Sequence, residues 1–138
     1  MPANPFTMEE PEIILDEVDV SCWANNLEIT ASKAEVEANT FCGQNVRPGL
    51  EESSFSFGFV QDFDAAAIDS VLWPLWDTSA EFEVSVKPVK GTATSATNPE
   101  FHGTCLLLEY QPLSGGPGDL AEFTIDLKVI GKLTRVEA

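Results

Sequence analysis

The sequence predicts a mainly β protein, an antiparallel β-sandwich or barrel with one flanking α-helix. Three observations carry that expectation. Apolar and polar residues alternate in several short runs: Phe55, Phe57 and Phe59; Phe82, Val84 and Val86; and Phe123, Ile125, Leu127 and Val129. That two-residue period belongs to a strand buried on one face. Only one stretch has helical spacing, and no strand–helix alternation announces a parallel sheet. A chain of 138 residues suits one domain, and 43% hydrophobic residues with nine Phe and three Trp can fill its core.

Taken in order, Met1 to Pro11 holds three prolines and no periodicity. The division expected is therefore a flexible arm over 1–11 and a single domain over 12–138. Ile13 to Leu15 and Val18 to Val20 read as short strands whose phase changes at Asp16-Glu17, the sign of a tight turn or bulge. Asn25-Asn26 is a turn signal. Leu27, Ile29 and Ala31 then alternate with Glu28, Thr30 and Ser32, and Val36 and Ala38 continue opposite Glu35 and Glu37. Thr40 to Glu52, interrupted by Gly43, Pro48 and Gly49, reads as a long irregular loop, a class that is usually functional. Phe55 to Phe59 is the most aromatic strand.

Asp62 to Trp76 is the predicted helix. Asp62 or Asp64 would cap it, and Ile68, Val71, Leu72, Leu75 and Trp76 fall on one stripe. Pro74 should end or kink it after Trp73. Beyond the strand Phe82 to Val86, Gly91 to Asn98 is a small, polar loop. Thr104 to Tyr110 is an unbroken, mostly apolar run, read as a central strand apolar on both sides. The loop containing Ser114 to Gly118 joins it to its antiparallel partner Glu122 to Ile130, with Pro112 and Pro117 outside the ladder. Leu133 to Ala138 is a tail or a final strand segment.

Charge excludes more than it specifies. There are 23 acids against 7 bases, a net charge of -16 and a pI near 4.1. Such a surface repels phosphate backbones and anionic lipid, which disfavours nucleic-acid readers and membrane docking. No run approaches the roughly 20 apolar residues of a membrane span. The N-terminus has no signal-peptide pattern, so assembly in a cytoplasm is expected. Cys22, Cys42 and Cys105 form no CxxC arrangement and read as reduced, small core residues.

Catalytic and cofactor signatures are missing. His102 is the sole histidine, placed beside Gly103 in a turn, and with Cys105 it lacks the second pair a zinc site requires. Asp16, Glu17 and Asp19 lack the glycine and closing glutamate of a calcium loop. No phosphate-cradling glycine motif occurs. Trp73 and Trp76 lie near the helix stripe and read as core or interface. The expectation is no enzyme, no cofactor and no metal. Long strand edges invite pairing with further copies instead.

Asn98-Pro99, the aromatic Phe101, a strand ending Glu109-Tyr110-Gln111-Pro112, then Ser114-Gly115-Gly116-Pro117-Gly118-Asp119-Leu120-Ala121 and a last strand carry a family likeness. This wording resembles the C-terminal half of the tail tube (major tail) proteins of long, non-contractile-tailed bacteriophages, and the strand rhythm follows them loosely elsewhere. The resemblance implies a β-sandwich with a flanking helix. Six copies would form a ring, and rings would stack into a tube whose lumen conducts viral DNA. Tape-measure and other tail proteins would be partners, no membrane would be involved, and the protein would reside in the virion tail after assembly in the host cytoplasm.

Matched onto this chain, Leu27 to Ala38 and Phe55 to Phe59 would be the hairpin carrying the stacking loop Thr40 to Glu52. Phe41, Gln44, Asn45, Arg47 and Leu50 would be its inter-ring residues. Lumen-facing acids would come from Glu28, Glu35, Glu37, Glu122 and Asp126, since an acidic wall offers DNA no deep binding minimum. The alternatives are another β-sandwich assembly module (tail completion, distal tail or capsid decoration), or a carbohydrate-binding or adhesion sandwich. The last would show an exposed aromatic platform.

Overall fold

The computed structural model, which describes residues 5–137, has nine strands and one α-helix. In chain order they are β1 (Glu12–Leu15), β2 (Val18–Asp19), a 3-10 turn (Ser21–Trp23), β3 (Ala24–Thr30), β4 (Lys33–Glu37), β5 (Val46–Glu51), β6 (Ser54–Val60), α1 (Ile68–Thr78), β7 (Phe82–Lys87), β8 (Glu100–Leu106) and β9 (Glu122–Val136). Seven strands make one antiparallel sheet in the order β2-β1-β7-β8-β9-β6-β3, and β4 and β5 pair separately. This is the expected class, an antiparallel curled sheet with a single helix.

β9 holds the sheet together. Its first half pairs with β6, from Val60↔Glu122 to Ser54↔Lys128. Its second half pairs with β8, from Leu106↔Lys128 to Glu100↔Val136. Between Thr104↔Ile130 and His102↔Thr134 the register shifts, and Gly131 there has φ 85°. Glycine adopts that conformation without the Cβ penalty, so the strand can bend as it changes partners. Across the ladder, a Cβ on Gly103 would lie 3.0 Å from Cε2 of Phe55 and 3.1 Å from Cγ2 of Val129. The absent side chain is what lets Phe55 pack against β8.

The curl brings the inward faces together. Phe55, Phe57 and Phe59 of β6, Ile125 and Leu127 of β9, Val84 and Val86 of β7, Ile13 and Leu15 of β1, and Cys105 are all buried, with Ile68, Leu72 and Leu75 of α1 beside them. Ring centroids step 5.9, 5.8 and 5.7 Å along Phe55, Phe57, Phe59 and Phe123. Each such side chain contributes roughly 1.5–3 kcal/mol by burial. Asp16 and Glu17 both have positive φ, giving the tight β1–β2 turn that the phase change predicted.

Several boundaries differ from expectation. The helix starts at Ile68, not Asp62, because Asp62 bonds elsewhere: its carboxylate accepts the Asp64 N–H and the Trp23 indole N–H, each at 2.9 Å. Those two bonds, the Asp64 N–H foremost, hold its carboxyl below the usual carboxylate range. Pro74 does not end the helix, which runs on to Thr78. Pro74 and Ser70, whose carbonyl loses its partner, both lie on the exposed side, where water can replace the missing bond while Leu72 and Leu75 stay buried. The stripe itself is narrower than expected, since Trp76 is exposed.

The apolar run Thr104 to Tyr110 is not one strand. β8 begins at Glu100 and ends at Leu106, and its outward residues include His102 and Thr104, so it is central but apolar on one face only. Leu107 then drops into the core, and the Tyr110 hydroxyl donates to Asp69 Oδ1 at 2.7 Å, fastening this segment to α1. Asn25-Asn26 is a bulge in β3 and not a turn. Cys22 and Cys42 are exposed, and only Cys105 is the core thiol expected; burial pushes its pKa up to about 12. The segment from Leu133 continues β9 to Val136. Within the predicted arm, residues 5–10 are exposed and Pro11 is half-buried, with the Lys90 N–H donating to Glu10 O at 2.8 Å; residues 1–4 lie outside the described part.

Candidate assembly surfaces

Pairing β3 with β6 and β6 with β9 puts their outward side chains in rows. Glu28 faces Ser56, which faces Asp126; Thr30 faces Ser54, which faces Lys128; Asn26 faces Gly58, which faces Thr124. Glu122 stands on the same face, opposite Val60. The reverse side of this block is the aromatic core, because strand alternation sends Phe55, Phe57, Phe59 and their β9 partners the other way. Strands about 4.8 Å apart set Glu28 and Asp126 roughly 10 Å from each other, with only a serine between. The structure thus unites Glu28, Asp126 and Glu122 on one outer sheet face. Glu35 and Glu37 lie elsewhere, on β4, with β5 residues Pro48 and Val46 opposite.

The stretch Thr40 to Glu52, expected to be loop, is largely the second arm of a hairpin. β5 pairs with β4 from Lys33↔Glu51 to Glu37↔Val46, with a bulge that accommodates Pro48. The pattern was obscured because Pro48 and Gly49 sit inside the strand, and β5 is an edge, where proline is tolerated. Beyond the ladder, Ala38 N–H bonds Asn45 O at 2.9 Å, and Thr40 and Gly43 exchange bonds of 3.0 and 3.1 Å, which makes Phe41 and Cys42 the apex. Among the expected inter-ring residues, Phe41 is at this apex, Gln44 and Asn45 follow it, and Arg47 and Leu50 are on β5. Val36, Phe41, Val46 and Leu50 are all exposed. Large apolar side chains left exposed on one hairpin make it a candidate binding surface.

Open edges complete the picture. β3 ends the seven-stranded sheet with seven residues, against two in β2 at the other side. β9 beyond Lys128 pairs with β8 alone, and the Leu133 N–H donates to Glu51 Oε2 at 2.7 Å at the hairpin root.

One polar cluster escaped the sequence reading. His102 is in mid-strand, not in a turn: Ser85 Oγ lies 3.0 Å from its Nδ1, and Glu100 Oε1 lies 3.1 Å from its Nε2. The signal that could have found it is the β7–β8 register, which sets Ser85 opposite His102. The backbone around Ser85 is committed to ladders with β1 and β8, leaving no preorganised donor pair for an oxyanion. The cluster reads as a cross-strand polar contact. Asp16 and Glu17 form the β1–β2 turn, while Asp19 accepts from Ser21 and pairs with Lys90 at 2.8 Å.

No protein-family model and no curated protein matches this sequence. Solved structures do match it. A chain of the sheath/tube terminator of an extracellular contractile injection system (PVC) superposes with a TM-score of 0.72 at 11% identity, covering 96% of this chain and 97% of that one. The SPP1 tail tube superposes at 0.73 and 12% identity, covering 97% of this chain and 80% of that one. The chain has the fold of tail-tube proteins. A chain from the virion of a native gene transfer agent adds a TM-score of 0.64 at 15% identity over 96% and 99% of the two chains. At these identities the shared property is the tail-tube fold itself, over nearly its whole length.

Proposed function

We propose that this protein is a structural subunit of a phage-type tail tube. Copies join into hexameric rings through their open strand edges, rings stack through the β4–β5 hairpin, and the outer face of β9-β6-β3 lines a lumen that conducts DNA during ejection. The observation that carries this reading is the uncovered sheet face whose reverse is a packed core. It presents Thr30, Ser54, Ser56, Thr124 and the bare Gly58 with Glu28, Asp126 and Glu122 against Lys128, in a chain of net charge -16. Phosphates repelled from such a wall do not exchange counterions with it, so DNA slides. Glu35 and Glu37 travel with the hairpin to the ring junction. The arm, of which residues 5–11 are described, contributes to contact with a neighbouring copy, and tape-measure and other tail proteins are the further partners, in a virion tail assembled in the host cytoplasm.

Electron microscopy of the purified protein tests the first step, since an unchanging monomer at all concentrations sinks the reading. For the lumen, Glu28→Lys with Asp126→Lys should leave monomer stability within about 0.5 kcal/mol. Variant tubes should retain labelled duplex DNA in a salt-dependent manner that wild-type tubes do not show. Equal retention by both would remove the acidic-lumen assignment. A capping or completion ring is the second reading, favoured by the 97% coverage of the terminator chain against 80% of the tail-tube chain. Isolated rings in place of tubes would select it.

A further inference from the structure

A groove of about 510 Å³ opens between the N-terminal arm and the start of β3, with Met8, Pro11, Cys22, Asn25, Leu27 and Lys90 in its wall. We infer that this groove receives the apex of the β4–β5 hairpin from the next copy along the tube axis. The inference rests on the tube reading and supplies the partner surface that reading leaves open.

Position is the first argument. The groove gathers around the first residues of β3, Ala24 to Leu27, whereas the hairpin is rooted just past the other end of the same strand, at Thr30. A strand of seven residues separates them by roughly 20 Å. A projection at one end and a recess at the other form a heterologous, head-to-tail contact. Contacts of that type propagate into open-ended assemblies, where a two-fold contact would close on itself.

Chemistry is the second. Phe41 at the apex and Val46 and Leu50 behind it are exposed large apolar side chains, and the groove offers Met8, Pro11 and Leu27 to cover them, with room for a phenyl ring and a branched aliphatic group. Charge agrees. Arg47 has no carboxylate within ion-pair distance among the described residues, and Glu9 and Glu10 lie on the groove wall. Lys90, the cation of the wall, is already paired with Asp19, so the acids there face the incoming arginine unopposed.

Cysteine placement provides the test. Cys42 is at the apex and Cys22 is in the groove wall; both are exposed, while Cys105 is buried. Assembled wild-type protein treated with a short bis-maleimide should give a ladder of covalent multimers, with Cys22 joined to Cys42 on peptide mapping. Cys22→Ser or Cys42→Ser alone should abolish the ladder. Independently, Arg47→Glu should stop stacking, and adding Glu9→Lys with Glu10→Lys should restore it. Tubes that form without any Cys22–Cys42 product, or that join Cys42 to Cys42, overturn the groove assignment and leave the tube reading standing. Protein that never assembles overturns both.

Discussion

β5 and β6 are separated by only two residues, Glu52 and Ser53, yet their apolar side chains meet opposite fates. Phe55, Phe57 and Phe59 are 0% exposed, while Val46 and Leu50 are 61% and 83% exposed. The difference arises from what lies on either side of each strand. β6 is flanked by β3 and β9 and faces the core shared with α1, so alternation drives one set of side chains inward. β5 has only β4 beside it and no second layer beneath. A two-stranded ribbon of this kind is marginal by itself, and its apolar residues have no core to enter. Hydrophobicity therefore signals a core in one strand and exposed surface in the next, the surface proposed above to meet another copy.

The sharpest way to break this contrast is to remove the central ring of the buried strand. Phe57→Ala should cost about 3–5 kcal/mol, read as a lowered urea midpoint, and a loss below about 1 kcal/mol would mean that β6 is not the core strand described. Gly103→Ala comes next. Its methyl would press on Phe55 and Val129, and a cost of roughly 1–3 kcal/mol should appear in the same measurement. On the hairpin the expectation reverses. Phe41→Ser with Leu50→Ser should change monomer stability by no more than about 0.5 kcal/mol while abolishing assembly in sedimentation. Unfolding of this variant would show that the hairpin supports the body.

The smallest expected effect is electrostatic. Burial alone would raise the Asp19 pKa, but hydrogen bonds from Lys90 and Ser21 outweigh it and hold the carboxyl below its ordinary value. A depressed folded-state pKa gives stability that is fully present above the unfolded value near 3.8, and loses it as pH falls through the lower folded value. Asp19→Asn should remove a partly exposed pair, for about 0–1 kcal/mol at neutral pH. The gap to wild type should close on acidification below that point. A gap that persists at low pH would assign the loss to packing.

The body was legible because alternation is a strong signal where a sheet has one wet face. Phe55 to Phe59, Phe82 to Val86 and Glu122 to Ile130 all fall in strands at those positions. It failed where tertiary structure overrode local preference. Asp62 looks like a helix cap but bonds Trp23, 39 positions away, and Pro74 survives inside α1 because its side of the helix meets water. Thr104 to Tyr110 looks like one strand because Leu107 and Leu108, which leave the ladder, remain apolar, although only Leu107 enters the core. The surfaces were less legible still. Periodicity separates Glu28 from Leu27 but cannot say which sheet face is covered, and only cross-strand register brings Glu28, Ser56 and Asp126 into line.

The position of β9 bears on synthesis as well as architecture. It is the latest of the nine strands to leave a ribosome, and yet it is the splice between β8 and β6. Until it emerges, the nascent chain holds two unjoined half-sheets, β2-β1-β7-β8 and β6-β3, each with a bare border. Pairing partners so distant in sequence close slowly, and folding waits for the strand that completes them. A prematurely terminated product accordingly lacks the one strand that joins the two halves.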